Sequence, residues 1–382
     1  MDEIDKIRKE KYVGIVINPK ADMFSNGMIQ NAFFIYDCLK NGGTLCKFLS
    51  TNPVSSPFNY KDATIEHITS NMNSFHTVIL ASGIISNEMY NDLKKHKVNV
   101  VAFLCGNIFA FDIDNFCRGP IGDISTFFGR NVPMDEMWII PSYKFMIDYM
   151  ETMTGKKGFV VPHLWSPGII QENLKNKEQN LFFQIANRKQ KKIEIVVLEA
   201  NTHYFKSACL PIIAGEKLFH QQPDLIENVY CFNWPNNSHS ELFANNLTLG
   251  KKFRKFQRLP LIDILTHFNK KDTFPIFVSH QIGIGLNYLF YELLYYGYPL
   301  VHNSTDLENC GYYYPEHDVK ECVNQILDAF KNHSKNIDTY KQRNVDYLER
   351  VNPANKDIIS IWQQLINDSI HSGLNIYNHK TE

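Results

Sequence analysis

The run Phe274-Pro-Ile-Phe-Val-Ser-His-Gln-Ile-Gly-Ile-Gly-Leu-Asn-Tyr-Leu-Phe-Tyr-Glu-Leu-Leu-Tyr-Tyr-Gly-Tyr-Pro-Leu-Val-His-Asn-Ser304 constrains the fold of this chain more than any other stretch. A β-rich segment, Ile276 to Ser279, enters a turn punctuated by Gly283 and Gly285. A helical segment follows to about Tyr296, and a second apolar run, Pro299 to Val301, ends in polar residues. This is the pattern of a strand, a crossover helix and a parallel strand. Such a unit brings strand carboxyl ends and a helix amino terminus to one edge of a sheet, where N–H groups and the helix dipole favour an anionic ligand. The one charge inside the helical segment is Glu292, among Leu, Tyr and Phe. A carboxylate there needs a partner, because burying it alone is costly.

The same alternation runs along the rest of the chain. Tyr12 to Ile17 reads as a strand broken by Asn18-Pro-Lys-Ala-Asp, and Met28 to Leu39 carries helical spacing that Asn41-Gly-Gly can end. Further strands are expected at Thr44 to Leu49, Thr77 to Ala81 and Asn99 to Phe103, with a helix from Ser86 to His96. The polar stretch Gln171 to Asn180 is the clearest shift in composition and reads as a connection. Lys192 to Glu199 restarts the strand pattern, a helix is expected from about Ala208, and Asp318 to Lys331 is amphipathic. With 382 residues, the chain is long for one core. The expected class is α/β: an amino-terminal domain over 1–165, a second over 166–350, and a carboxy-terminal helix over 351–382 that packs back on the first.

Charge and cysteine usage exclude some classes. The 39 Lys plus Arg nearly balance 40 Asp plus Glu, so no overall basic field draws in nucleic acid. The eight cysteines stand singly, with no Cys-x-x-Cys pair, which predicts neither a zinc site nor a disulfide framework. The charged start, Met1 to Lys11, is unlike a secretory signal, and no long uncharged apolar run suggests a spanning helix. A cytoplasmic protein is the expectation, with peripheral membrane association left open.

Candidate ligand contacts cluster where a strand end feeds a helix. In the first half these are Asn26, Gly27 and Gln30, which equally make a tight, capped turn. Asp112 and Asp114 lie just past a strand end and suit a general base or a metal clamp, though such loop aspartates are commonly turn formers or solvated. His163, near the connection, suits a cleft contact or a capping residue. In the second half, Glu199, Asn201 and Lys206 share one loop, and Lys206 stands near a helix start where its charge suits a phosphate. Lys251-Lys-Phe-Arg-Lys-Phe-Gln-Arg258 alternates basic and aromatic residues; it can grip a diphosphate or face solvent, and is short for a nucleic-acid strand.

Several of these stretches together resemble a known family. Phe24-Ser-Asn-Gly-Met-Ile-Gln-Asn, Trp138-Ile-Ile-Pro, Val161-Pro-His-Leu-Trp-Ser-Pro, Glu199-Ala-Asn with Lys206 and Pro211, Ser279-His-Gln, Leu286-Asn-Tyr-Leu, Tyr298-Pro-Leu-Val-His-Asn-Ser and Gly311-Tyr-Tyr-Tyr-Pro resemble, in order from about residue 12 to 330, the family catalogued as domain of unknown function 2827. More broadly, two Rossmann-like halves facing a cleft, with a late strand, Glu-bearing helix and strand, resemble glycosyltransferases of the GT-B fold. That resemblance implies a metal-independent transferase with no cofactor. Its substrate would be a nucleotide sugar, such as a UDP or GDP sugar, and its acceptor a glycan or other molecule, as in glycan biosynthesis. It implies ribose binding by Glu292, donor and diphosphate contacts from Asn303, Ser304, Lys206, Arg258, Glu199, Asn201 and Asn287, and His280 near the reacting carbon. The pattern departs in one place: eight residues before Glu292 stands Ile284, and the donor-sugar acid expected nearby, just after His280-Gln281, is replaced by Gly283.

Two other readings fit the residues. One is a nucleotide- or sugar-binding protein without turnover, and the other a different two-domain enzyme such as an epimerase or phosphorylase. A dinucleotide oxidoreductase is disfavoured, because Gly283-Ile-Gly285 lacks a third glycine.

Overall fold

The computed structural model describes residues 3–18, 27–53, 60–118, 133–174, 180–184 and 192–378. The chain divides into two compact units, Met1–Ile170 with Glu349–Glu382, and Gln171–Leu348.

The first unit is built on seven strands: β1 (Tyr12–Val16), β2 (Cys46–Ser50), β3 (Ile65–His67), β4 (Phe75–Leu80), β5 (Asn99–Leu104), β6 (Glu136–Ile139) and β7 (Lys157–Val160). They pair in the order β3-β2-β1-β4-β5-β6-β7, every neighbour parallel. All residues of β4 and β5 are buried, as a sheet covered on both faces requires. The helices are α1 (Glu3–Glu10), α2 (Gly27–Asn41), α3 (Asn87–Lys95), α4 (Ile108–Arg118), α5 (Ile147–Thr154) and α6 (Gly168–Leu174), the last running across the division. Ser86 caps α3 by accepting from the Met89 N–H at 3.1 Å.

Asp112 and Asp114 are corrected here. They do not sit in a loop beyond β5 but on α4. The side chain of Asn107 accepts from the Ala110 N–H at 2.9 Å and so starts a helix where the Cys-Gly-Asn sequence reads as a turn.

The second unit has six strands: β8 (Ile193–Val197), β9 (Ile226–Cys231), β10 (Phe253–Lys255), β11 (Phe274–Val278), β12 (Leu300–His302) and β13 (Tyr312–Tyr313). Their order is β10-β9-β8-β11-β12-β13, again all parallel. The helices are α7 (Cys209–Gln221), α8 (Ser238–Asn245), α9 (Leu261–Asn269), α10 (Tyr288–Tyr295), α11 (Val319–Asn332) and α12 (Ile337–Arg350), which runs across the division. Helix α10 starts later than the two glycines suggest. Asn287 accepts from the Leu289 N–H at 3.1 Å, and this cap sets the first turn at Tyr288.

The last helix, α13 (Lys356–Asn378), belongs to the first unit. Its Trp362 is fully buried and packs edge-on against Trp138 of β6, with ring centroids 5.6 Å apart. Its Ser369 bonds to Thr77 of β4 and Asn99 of β5 at 2.9 and 2.8 Å. Among the described residues, no helix is long and apolar enough to cross a membrane, and none of the eight cysteines is in a disulfide.

Candidate functional site

In each sheet the chain reverses direction once. β8 lies between β9 and β11, so the strand order switches direction between β8 and β11, and the carboxyl ends at such a switch point are where open α/β sheets bind ligands. In the second unit both segments are described, and they are stitched together. The Ile282 N–H donates to the Phe205 carbonyl at 3.0 Å, and Lys206 forms an isolated antiparallel bridge with Gln281. Asn201 closes the loop after β8. Its side-chain oxygen accepts from the Ala208 N–H at 2.7 Å, its N–H donates to the Lys206 carbonyl at 3.0 Å, and its φ of 55° is one that Asn tolerates better than most residues.

Glu199 stands at the centre of this junction and is 3% exposed. The Ser279 hydroxyl donates to one of its oxygens, and the Gln281 amide donates to the other at 3.3 Å. Burial pushes its carboxyl up to about 7, while Ser279, the Lys206 charge, Gln281 and the His280 N–H pull it down. The side-chain oxygen of Gln281 is buried with no hydrogen-bond partner among the described residues, an acceptor available to a donor from outside.

His280 is 5% exposed. Its Nδ1 is 3.0 Å from the Tyr314 hydroxyl, which donates to the Ser279 carbonyl at 3.0 Å. Its Nε2 is 2.8 Å from Nδ1 of His317. Burial, with the nearby His317, pushes His280 down to about 4, so it is neutral at physiological pH. Asn303 follows β12 and pairs with the main chain of Gln281, accepting from its N–H at 2.9 Å and donating to its carbonyl at 2.8 Å. Ser304 donates to the Gly285 carbonyl at 3.1 Å. The side chains of Asn201, Asn287, Asn303 and Ser304 thus hold the loops in shape.

Glu292 lies on the second turn of α10 and is partly buried. No hydrogen bond or ion pair links its carboxyl to any described residue, and burial pushes it up to about 8. Such a group is unstable as a lone anion and suited to a ligand hydroxyl. Arg258 is exposed in the segment after β10, and the sheet order sets β9 between that strand and β8, which precedes Lys206. In the same run Arg254 donates to Asn228 at 3.2 Å and Lys255 pairs with Glu241.

The first unit carries the remaining candidates. Asn26 lies outside the described residues; Gly27 opens α2 and Gln30 is buried on it. His163 is buried, and burial pushes it down to about 4. Asp112 is 1% exposed and accepts from the Tyr149 hydroxyl at 2.6 Å, an enclosed position for a proton acceptor. Among the described residues no three His, Cys, Asp or Glu side chains are grouped as metal ligands.

Sequence reasoning assigned no role to Ser279, Gln281, Tyr314 or His317. The first two sit beside His280 in Ser279-His-Gln, but their partner Glu199 is eighty residues away and only the β8–β11 pairing joins them.

Comparison with known proteins follows the same lines. The family model described as "Protein of unknown function (DUF2827)" matches residues 13–366. No curated protein sequence matches. Among solved structures, HepE of Anabaena in complex with UDP-glucose is similar at TM-score 0.52 and 11% identity, over 94% of this chain and 99% of that one. Sucrose-phosphate synthase from Thermosynechococcus elongatus gives 0.53 and 10%, over 97% and 99%. The E. coli protein entitled trehalose-6-phosphate, bound with UDP-2-fluoro glucose, gives 0.53 and 10%, over 94% and 99%. Three further matched chains are longer, and this chain spans 55% to 57% of them. The likenesses to HepE, the sucrose-phosphate synthase and the E. coli protein show the fold, two Rossmann-like units of the GT-B class.

Proposed function

We propose that this chain, which belongs to the DUF2827 family, moves a sugar from a nucleotide-sugar donor held by its second unit to an acceptor held by its first, with no bound metal. The observation that carries this reading is Glu292, a partly buried acid on the helix that follows β11, with no hydrogen-bond or ion-pair partner among the described residues. A ribose diol would supply the hydrogen bonds that the acid lacks and draw it toward its charged form. The fold adds support, since HepE of Anabaena and the E. coli protein, both of this class, are described with UDP-glucose and UDP-2-fluoro glucose.

Sugar transfer passes through a transition state in which positive charge grows on the sugar ring and negative charge on the leaving diphosphate. Fixed donors aimed at that diphosphate are therefore the main catalytic resource. In this chain they are the Lys206 ammonium and the main-chain N–H groups of the segments that Asn303 and Ser304 hold in shape. Arg258 joins them as a second cation. Glu199 positions the Ser279-His280-Gln281 segment. UDP is the favoured nucleotide, with GDP the alternative.

A second reading has one observation in its favour. Ile284, buried at 6% exposure, stands where the resemblance places a donor-sugar acid, which suits a protein that binds a nucleotide sugar without turning it over. A thermal-shift panel of UDP, GDP, dTDP and CMP sugars, followed by product analysis with candidate acceptors, separates the cases. Protection by one donor with released nucleoside diphosphate is the expected result; protection without release selects the binding protein, and no protection by any donor removes both.

A further inference from the structure

The geometry points to His317 as a cation for the diphosphate of the bound nucleotide sugar, held ready by the buried His280. This rests on the proposed function and adds a residue and a regulation by pH to its site.

The hydrogen-bond chain fixes where each proton lies. The Ser279 carbonyl can only accept, so the Tyr314 hydroxyl, 3.0 Å away, spends its proton on it. Towards His280 the phenol oxygen is then an acceptor, and Nδ1 of His280, at 3.0 Å, carries the hydrogen. A neutral imidazole has one N–H, so Nε2 of His280 presents a lone pair. That lone pair faces Nδ1 of His317 at 2.8 Å, which must donate. His317 is exposed, and its Nε2 has no partner among the described residues. When His317 gains a second proton, its Nδ1–H becomes a stronger donor to the waiting lone pair, so His280 supports the cation without taking the proton.

The placement suits an anion. Asn303 donates to the Gln281 carbonyl at 2.8 Å and to the Glu316 carbonyl at 3.3 Å. It thereby ties the segment before His317 to Gln281, the bridge partner of Lys206. Other charges bear on the pair. The His280 N–H bonds to Glu199, on which the Lys206 charge also acts, and Tyr314 bonds to Cys322 of α11. Glu316 and Asp318 flank His317, with Asp318 committed to the Glu321 N–H at 2.9 Å. Glu316 opposes a bound phosphate, so the site needs the His317 charge to hold one.

The test is calorimetric titration with UDP-glucose, or with GDP-mannose if UDP-glucose does not bind, at about pH 6 and about pH 8. Neither donor's diphosphate changes charge between these values. At about pH 6 His317→Gln, an exposed change, should bind several-fold to about tenfold more weakly than the wild type, and at about pH 8 the two should bind nearly alike, a comparison in which the acids Glu199 and Glu292, common to both proteins, cancel. Equal affinity of the two proteins at the lower pH, or the same loss at both values, overturns the role of His317 and leaves the nucleotide-sugar reading standing. Absence of binding by either donor at both values removes the two together. Nitrogen-resolved imidazole spectra give an independent check: His280 should keep its proton on Nδ1 across this range, and an Nε2–H form of His280 would contradict the chain of donors.

Discussion

The Ser279 hydroxyl donates to the buried carboxyl of Glu199, joining the segment that leaves β11 to the one that leaves β8. These strands are neighbours in the sheet but far apart in sequence. The contact therefore closes the switch point of the second unit and fixes the height at which Lys206, His280 and Gln281 stand above it.

Removing that carboxyl should loosen the junction. Glu199→Ala leaves the Ser279 hydroxyl and the Gln281 amide without their acceptor, at a cost of about 2–3 kcal/mol, while Glu199→Gln keeps part of the contact and should cost less. Urea unfolding of the two variants checks the order. The pH dependence has a definite sign: between the ordinary 4.5 and about 7, the folded protein keeps a proton that the unfolded chain has lost. Stability from this group thus falls as pH rises through that window, and Glu199→Gln should flatten the fall.

Glu292 behaves the same way over a wider window, from 4.5 to about 8. Above pH 8 the folded protein holds a charged group that burial disfavours. Glu292→Gln should raise stability there by about 1–2 kcal/mol, an allowance made for its partial exposure, and change little near pH 4. Thermal melts at the two ends of the range would show the difference; an equal effect at both would mean the charge is not the cause.

Gly311 should resist substitution. Its φ is +56°, and a Cβ would lie 2.8 Å from the Leu300 carbonyl oxygen, an atom that cannot step aside. Gly311→Ala should cost about 2 kcal/mol or more and disturb β12 and β13 beside the site. A melting temperature unchanged from the wild type would contradict this.

Trp362 anchors the carboxy-terminal helix between Trp138 and Phe103. Trp362→Ala should cost about 3–5 kcal/mol, and Trp362→Phe much less. Hydrogen exchange should show the loss in β4, β5 and α13 first, since these elements share that core.

Much of this architecture was legible in the residues because buried parallel strands are close to unbroken runs of Val, Ile and Phe, as in Val13 to Ile17 and Phe274 to Val278. The shortest strands were not. β3 and β13 hold three and two residues, too few for a period to emerge, and β10 was hidden in a basic-aromatic run. Glu199, Lys206 and Glu292 were legible as charges placed at strand ends or among apolar neighbours. Asp112 was misread because Cys105-Gly-Asn carries a turn signal, whereas Asn107 uses its side chain to start a helix. The His280–His317 pair had no local signal at all: it depends on the order of β11, β12 and β13, which only packing decides.

The most direct test of the donor site is the affinity of Glu292→Ala for the nucleotide sugar that protects the wild-type protein, measured by calorimetry. Loss of a charge-assisted hydrogen bond to the ribose should weaken binding by about tenfold or more, with the fold retained. Undiminished affinity would show that the acid faces no ligand, and the placement of the donor on the second unit's switch point would fall with it.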